Sequence, residues 1–183
     1  IFTLVTKFFQ GLLVGIWFNF NDFDNDGDHD LLSHTPGTDN VSYYENVNGT
    51  LQLVNSQLHT PSGFPVYGGQ IVIPTVADID ADGHLDYFVG DISGRLAYYA
   101  GHGNVDTGPQ FEFVSDYFEN IQIIWTPGRH GANSISFYDL DNDSDLDLIW
   151  GDFYQPGLFY LENYGDNNEP HFVDSLMVAD FPG

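Results

Sequence analysis

Three nine-residue stretches place aspartate at the same offsets: DFDNDGDHD over 22–30, DIDADGHLD over 78–86 and DLDNDSDLD over 139–147. They hold 14 of the chain's 27 acidic residues, so the acidity is concentrated at three points instead of being spread over every face. Carboxylates packed this densely repel one another, and the arrangement is costly unless a cation sits among them. The stretches begin 56 and 61 residues apart, which marks a repeat protein with one acidic turn per unit. Whatever fold the chain adopts must present that turn three times.

The remainder of each unit reads as short strands. About 20 residues after each first aspartate comes an aromatic pair: Tyr43 and Tyr44, Tyr98 and Tyr99, Phe159 and Tyr160. Some ten residues further on lies a short alternating apolar segment, at 51–54, 111–114 and 171–173. Gly and Asn punctuate the gaps, as at Asn48 and Gly49, and signal turns between strands. A strand is expected before each acidic turn (16–20, 74–77, 135–138) and another after it (31–32, 87–89, 148–150). β-branched and aromatic residues fill the apolar runs, and no 12-residue window carries a helical period. Four strands per unit of this length predict an all-β chain of four-stranded antiparallel β-propeller blades.

The blades are expected at 10–66, 67–126 and 127–183, with 1–9 as the last strand of a preceding blade. Three blades and one strand do not close a ring, since propellers run from four to eight blades. Further blades, from the same or another chain, are therefore expected partners.

Composition narrows the function. The 183 residues suffice for a substantial core, and 42% hydrophobic with 16% aromatic content argues against disorder. Lys7, Arg95 and Arg129 are the only Lys or Arg residues, and the formal charge is −24. Nucleic acid and anionic membrane surfaces are thereby disfavoured as partners. There is no cysteine, so thiolate metal sites and disulfides are excluded. The most apolar window, 8–20, is too short to span a bilayer and reads as buried strands.

The acidic turns have the ligand spacing of a calcium loop. Ca²⁺ takes six to eight oxygens in a flexible shell, which suits convergent carboxylates better than the stricter octahedron of Mg²⁺. Positions 1, 3 and 5 supply side chains: Asp22, Asp24 and Asp26; Asp78, Asp80 and Asp82; Asp139, Asp141 and Asp143. Position 7 (Asp28, His84, Asp145) offers its backbone carbonyl, and position 9 (Asp30, Asp86, Asp147) closes the site. Gly27 and Gly83 at position 6 permit a sharp turn, where the third loop has Ser144. A left-handed backbone there costs about 1 kcal/mol, so the third site is expected to be the weakest. An EF-hand needs an acidic residue at position 12 and flanking helices; Ser33, Val89 and Trp150 stand there, in expected strands. Three bound Ca²⁺ would reduce the charge to about −18.

The strings VADIDADGHLDYFVGD and YDLDNDSDLDLIWGD resemble VCBS/FG-GAP repeats, the blades of integrin-α-type β-propellers. YYENVNG and FYLENYGDNNEPHFV fit the second half of the same repeat, so the resemblance covers essentially the whole chain. It implies a structural calcium ion in the loop between the first two strands of each blade. The first repeat departs from the pattern by reading LLSHTPG after its loop, and the second has Ala100 and Gly101 where the others have Glu-Asn. The family occurs in adhesins, lectins, lyases and surface proteins.

No nucleophile elbow, zincin or phosphate-loop motif occurs. The tyrosine pairs and Trp150 are expected in the core between blades, and Trp125, Arg129 and His130 are the candidate ligand contacts. Sequons at Asn40 and Asn48 lie in expected turns and are candidate glycosylation sites; a third, at Asn142, falls inside an acidic turn. The leading expectation is an extracellular, calcium-binding propeller module that binds a carbohydrate or protein ligand or assembles at a surface. The alternatives are the propeller portion of a secreted polysaccharide lyase or hydrolase, and a self-assembling structural subunit.

Overall fold

The computed structural model describes residues 3–6, 9–69, 72–91, 93–121, 134–151, 158–166, 168–172 and 177–178. Twelve strands among them form three four-stranded antiparallel sheets, each a meander of consecutive strands. The first sheet holds β1 (Phe18–Asn21), β2 (Asp30–His34), β3 (Val41–Val47) and β4 (Thr50–Asn55). The second holds β5 (Thr75–Ala77), β6 (Asp86–Gly90), β7 (Leu96–Val105) and β8 (Gly108–Ser115). The third holds β9 (Ser134–Tyr138), β10 (Asp147–Gly151), β11 (Leu158–Leu161) and β12 (Met177–Val178). These are β-propeller blades, and the three of them do not close into a ring. In every blade the acidic turn joins the first strand to the second.

The packing of the second strand in blades two and three explains why the sequence there is nearly continuous in apolar residues. A strand covered on both faces cannot alternate apolar with polar. Along β6, Tyr87 and Val89 point into the core shared with the first blade, and Phe88 points into the core shared with the third. The first of these cores also takes Trp17, Leu32, Tyr43, Tyr99 and Phe111. The second takes Phe118, Phe137, Leu148, Trp150 and Phe172. Phe88 stacks on Tyr98 at 5.0 Å between centroids and meets Phe137 of the next blade at 4.5 Å. Tyr43, Tyr99 and Trp150 are therefore core residues between blades and Tyr98 packs against that core, whereas Tyr44 is buried in a separate cluster on the first blade's other face. Trp17 is also core, and its indole N–H donates to the Gly68 carbonyl at 2.8 Å.

Local chemistry sets the turns. Val47 pairs with Thr50 across the two-residue loop Asn48–Gly49, and both loop residues have positive φ (54° and 83°). That is the I′ turn whose twist matches antiparallel strands and which favours Asn-Gly.

Three expectations need correction. The strand before the first loop begins at Phe18, not at residue 16: Ile16 is exposed, and the Trp17 carbonyl accepts from Ser33 Oγ while its ring enters the core. The fourth strand of the third blade pairs at Met177–Val178, later than 171–173. Phe172 is buried and makes an isolated bridge to Asn163, beside a turn held by Asp166 and the Asn163 side chain, and Val173 lies outside the described residues. Residues 3–6 form no strand, and Leu4 and Val5 are exposed. Farther on, the segment before β1 lies on the outer face of the first blade. Leu12 packs over Leu31, Tyr44 and Leu51, and Gln10 bonds the backbone of Gly49 and Leu51.

Candidate metal centre

Each acidic turn brings the side chains of positions 1, 3 and 5 together. One carboxylate oxygen from each of Asp22, Asp24 and Asp26 lies within 4.8 Å of the others, as do those of Asp78, Asp80 and Asp82 and those of Asp139, Asp141 and Asp143. The turn's own amides shape the cluster. Gly27 N–H and Asp26 N–H donate to the two oxygens of Asp22, both at 3.1 Å. Gly83 N–H donates to Asp78 at 3.0 Å, and Ser144 N–H to Asp139 at 3.2 Å. Two positions per turn are left-handed: position 4 (Asn25 φ 61°, Ala81 φ 54°, Asn142 φ 66°) and position 6 (Gly27 96°, Gly83 89°, Ser144 82°). Ser144 thus stands where glycine has no steric cost.

The position-9 carboxylates do a second job that the spacing does not announce. Asp30, Asp86 and Asp147 are 1%, 2% and 1% exposed, and each accepts backbone N–H groups from two directions. One donor is position 2 of the same turn: Phe23 (3.4 Å), Ile79 (3.0 Å) and Leu140 (3.0 Å). The other lies on or just after the third strand: Asn46 (2.9 Å), Gly101 (2.8 Å) and Asn163 (3.0 Å). The residue thereby staples the acidic turn to the blade. A tyrosine hydroxyl joins it: Tyr43 donates to Asp30 at 2.8 Å, Tyr98 reaches Asp86 at 3.5 Å, and Tyr160 lies beside Asp147. These tyrosines and the Asn46, Gly101 and Asn163 amides were visible only as recurring motifs; their bonds to position 9 are tertiary.

Electrostatics favours a cation. Burial first, and then the neighbouring carboxylates, push Asp145 up to about 6 and raise Asp28 above the usual carboxylate range. Asp24 and Asp141 are raised in the same way. Asp86 is also pushed up to about 6, mainly by burial, against the pull of its two backbone bonds. One oxygen each of Asp28, Asp78 and Asp145 is buried without a hydrogen-bond partner. Buried carboxylate oxygens without partners are costly, and a bound cation would satisfy them. An all-oxygen set of clustered carboxylates fits Ca²⁺, and the groups of convergent ligands among the described residues contain aspartate only. His84 replaces the position-7 aspartate in the second turn and is outside its triad.

Other sequence candidates are placed as follows. Trp125, Arg129 and His130 lie outside the described residues. His102 pairs with Glu112 at 3.0 Å on the exposed outer strands of the second blade. Arg95 is held by Asp91 at 2.6 Å and Asp116 at 3.2 Å, which closes the turn after β6. Asn48 is exposed at its hairpin tip, whereas Asn40 is half-buried with its Oδ1 accepting from Gln57.

The sequence matches the FG-GAP-like repeat family twice, over residues 22–89 and 78–150. The chain belongs to this family. Each FG-GAP match starts at the first aspartate of a turn and runs through the next turn into the strand that follows it, so the family signal and the acidic clusters coincide. No curated protein matches the chain. The FG-GAP assignment agrees with the blade topology, in which each acidic turn links strands one and two.

Proposed function

We infer that the chain is an extracellular FG-GAP propeller module, stabilised by one Ca²⁺ in each acidic turn, that binds carbohydrate or protein ligands. The observation that carries this reading is the threefold convergence of aspartate oxygens within 4.8 Å, with buried oxygens left unpartnered in all three turns. Positions 1, 3 and 5 supply side-chain oxygens, position 7 its carbonyl, and position 9 closes the shell. The ion's work is structural. It neutralises the repulsion that otherwise pries open the connection between strands one and two, and position 9 passes that rigidity to the third strand. Carboxylate turns of this type suit the weak class of extracellular sites, with dissociation constants of about 10⁻⁴–10⁻³ M, and calcium outside cells is high enough to fill them.

Further blades complete the binding surface. The face of blade two that carries Tyr87 and Val89 is covered by blade one. On the equivalent face of blade one, the segment before β1 covers Leu31, Tyr44 and Leu51 but leaves Phe18 and Phe20 on β1 exposed at 61% and 43%, the part onto which another blade would stack.

Equilibrium dialysis against millimolar calcium tests the metal reading. Three ions per chain are expected, and Asp24→Asn, Asp80→Asn and Asp141→Asn should each remove one. A chain that takes up no calcium sinks it. The binding role is tested by retention on immobilised glycans and cell surfaces in calcium, with release by chelator; no retention on any surface counts against it.

A further inference from the structure

We propose that the third-strand tyrosine of each blade is a positioning residue that ties cation binding in the acidic turn to the packing of the following blade. This rests on the calcium reading above. In blade one, the Tyr43 ring is 1% exposed within the core shared with blade two, and its hydroxyl donates to Asp30 Oδ2 at 2.8 Å. Asp30 closes the first turn. The same hydroxyl is met from the neighbouring blade by Asn104 Nδ2 at 3.4 Å. Blade two also fixes the ring itself: a Cβ added at Gly108 would come within 2.6 Å of Tyr43, so the β7–β8 hairpin lies directly against it. On its other side, the ring meets Phe23, position 2 of the first turn, edge-on at 6.2 Å. Tyr43 therefore touches the turn, the closing carboxylate and the next blade at once.

The arrangement recurs. Tyr98 extends toward Asp86 at 3.5 Å while its ring packs on Phe88 and Phe118, in the core shared with blade three. In blade three, Tyr160 lies beside Asp147 but is only half-buried, on the face where a fourth blade would sit. The contact to the closing aspartate is shorter at Tyr43, whose hydroxyl the following blade reaches through Asn104, than at Tyr98. Groups that hydrogen-bond a metal ligand fix its orientation, and their loss typically lowers metal affinity by about 10–100-fold. A tyrosine clamped by the next blade holds the closing carboxylate in one orientation before the ion arrives. By reciprocity, the ion strengthens the blade contact.

The test is a site-resolved calcium titration of the full chain by amide NMR, with Gly27 reporting the first turn and Gly83 the second. Tyr43→Phe removes the hydroxyl and keeps the ring. Affinity at Gly27 should fall about tenfold or more, with Gly83 unchanged. Asn104→Ala lies in blade two, outside the first turn, and should weaken Gly27 in the same direction; it decides the matter if Tyr43→Phe does not fold. A merely structural tyrosine would lower the melting temperature and leave the first-turn affinity as it was, and that result would overturn the proposal while the calcium reading stands. Failure of the wild-type chain to shift at either glycine would take down both.

Discussion

At the scale of single residues, the acidic turns are built from conformations and charges that most side chains tolerate poorly. Ser144 sits at φ 82°, where Gly27 and Gly83 serve the other turns. Ser144→Gly should therefore add about 1 kcal/mol, raising the melting temperature by about 2–4 °C in a chain of this size. A melt unchanged or lowered by the substitution would show that the serine hydroxyl contributes more than its backbone costs. Gly101 is the opposite case. A Cβ there would clash with the Leu85 carbonyl oxygen, so Gly101→Ala should destabilise by about 1–3 kcal/mol in urea unfolding. This explains why the second repeat departs from the Glu-Asn of its neighbours: the position-9 staple needs only the backbone N–H, and the space beside Leu85 admits only glycine.

Protonation gives a residue-scale prediction with a definite sign. Asp86 and Asp145 are pushed up to about 6, above the ordinary 3.8, so in chelator the folded chain binds protons more readily than the unfolded one between those values. The metal-free protein should accordingly gain stability as the pH falls from 7 toward 4, and lose it on the way back up. With calcium present the slope should reverse, because protons displace the ion over the same window. Melts at several pH values, with and without chelator, read both slopes; parallel slopes would contradict the assignment of these groups to a cation site.

At the scale of the element, each acidic turn separates two roles that the sequence writes with the same letter. Aspartates at positions 1, 3 and 5 converge in a carboxylate cluster that could hold a cation, and those at position 9 staple the turn to the third strand. Asp80→Asn should be neutral or slightly stabilising in chelator, since it removes one repelling charge, and destabilising only in calcium. Asp86→Asn should cost about 1–3 kcal/mol even in chelator, because an amide cannot accept from every donor that converges on the buried carboxylate. Equal behaviour of the two variants in chelator would refute the division. The convergence of positions 1, 3 and 5 was legible in the offsets alone, because local spacing sets which side chains meet across a tight turn. The staple was not, because its partners stand 15 or 16 residues away on another strand. The Asn48–Gly49 hairpin was legible for the same local reason. The fourth strand of the third blade was not: the alternating pattern at 171–173 looks like a strand, yet among the described residues the pairing with β11 is made by Met177–Val178, beyond the turn at Asp166 and Asn163.

At the scale of the whole molecule, the blades cohere through aromatic residues that serve two sheets. Phe88 is fully buried and touches rings from its own blade and the next, so Phe88→Ala should cost about 3–5 kcal/mol. The aromatic pairs announced strands; which ring faces which neighbour depends on the stacking order of blades, a global property that no single repeat contains. The same stacking makes the acidic turns a matter for the entire chain. Three clusters of like charge, in a molecule of formal charge −24, oppose the fold that the apolar contacts favour. Cations that bind only the folded state would remove that opposition in every blade together. The most direct measurement is a thermal melt of the chain in millimolar calcium and again after chelation. A large rise in midpoint with calcium, absent with magnesium at the same concentration, is the expected result. The same midpoint in calcium and in chelator would contradict the claim that the acidic turns hold the propeller together through bound calcium.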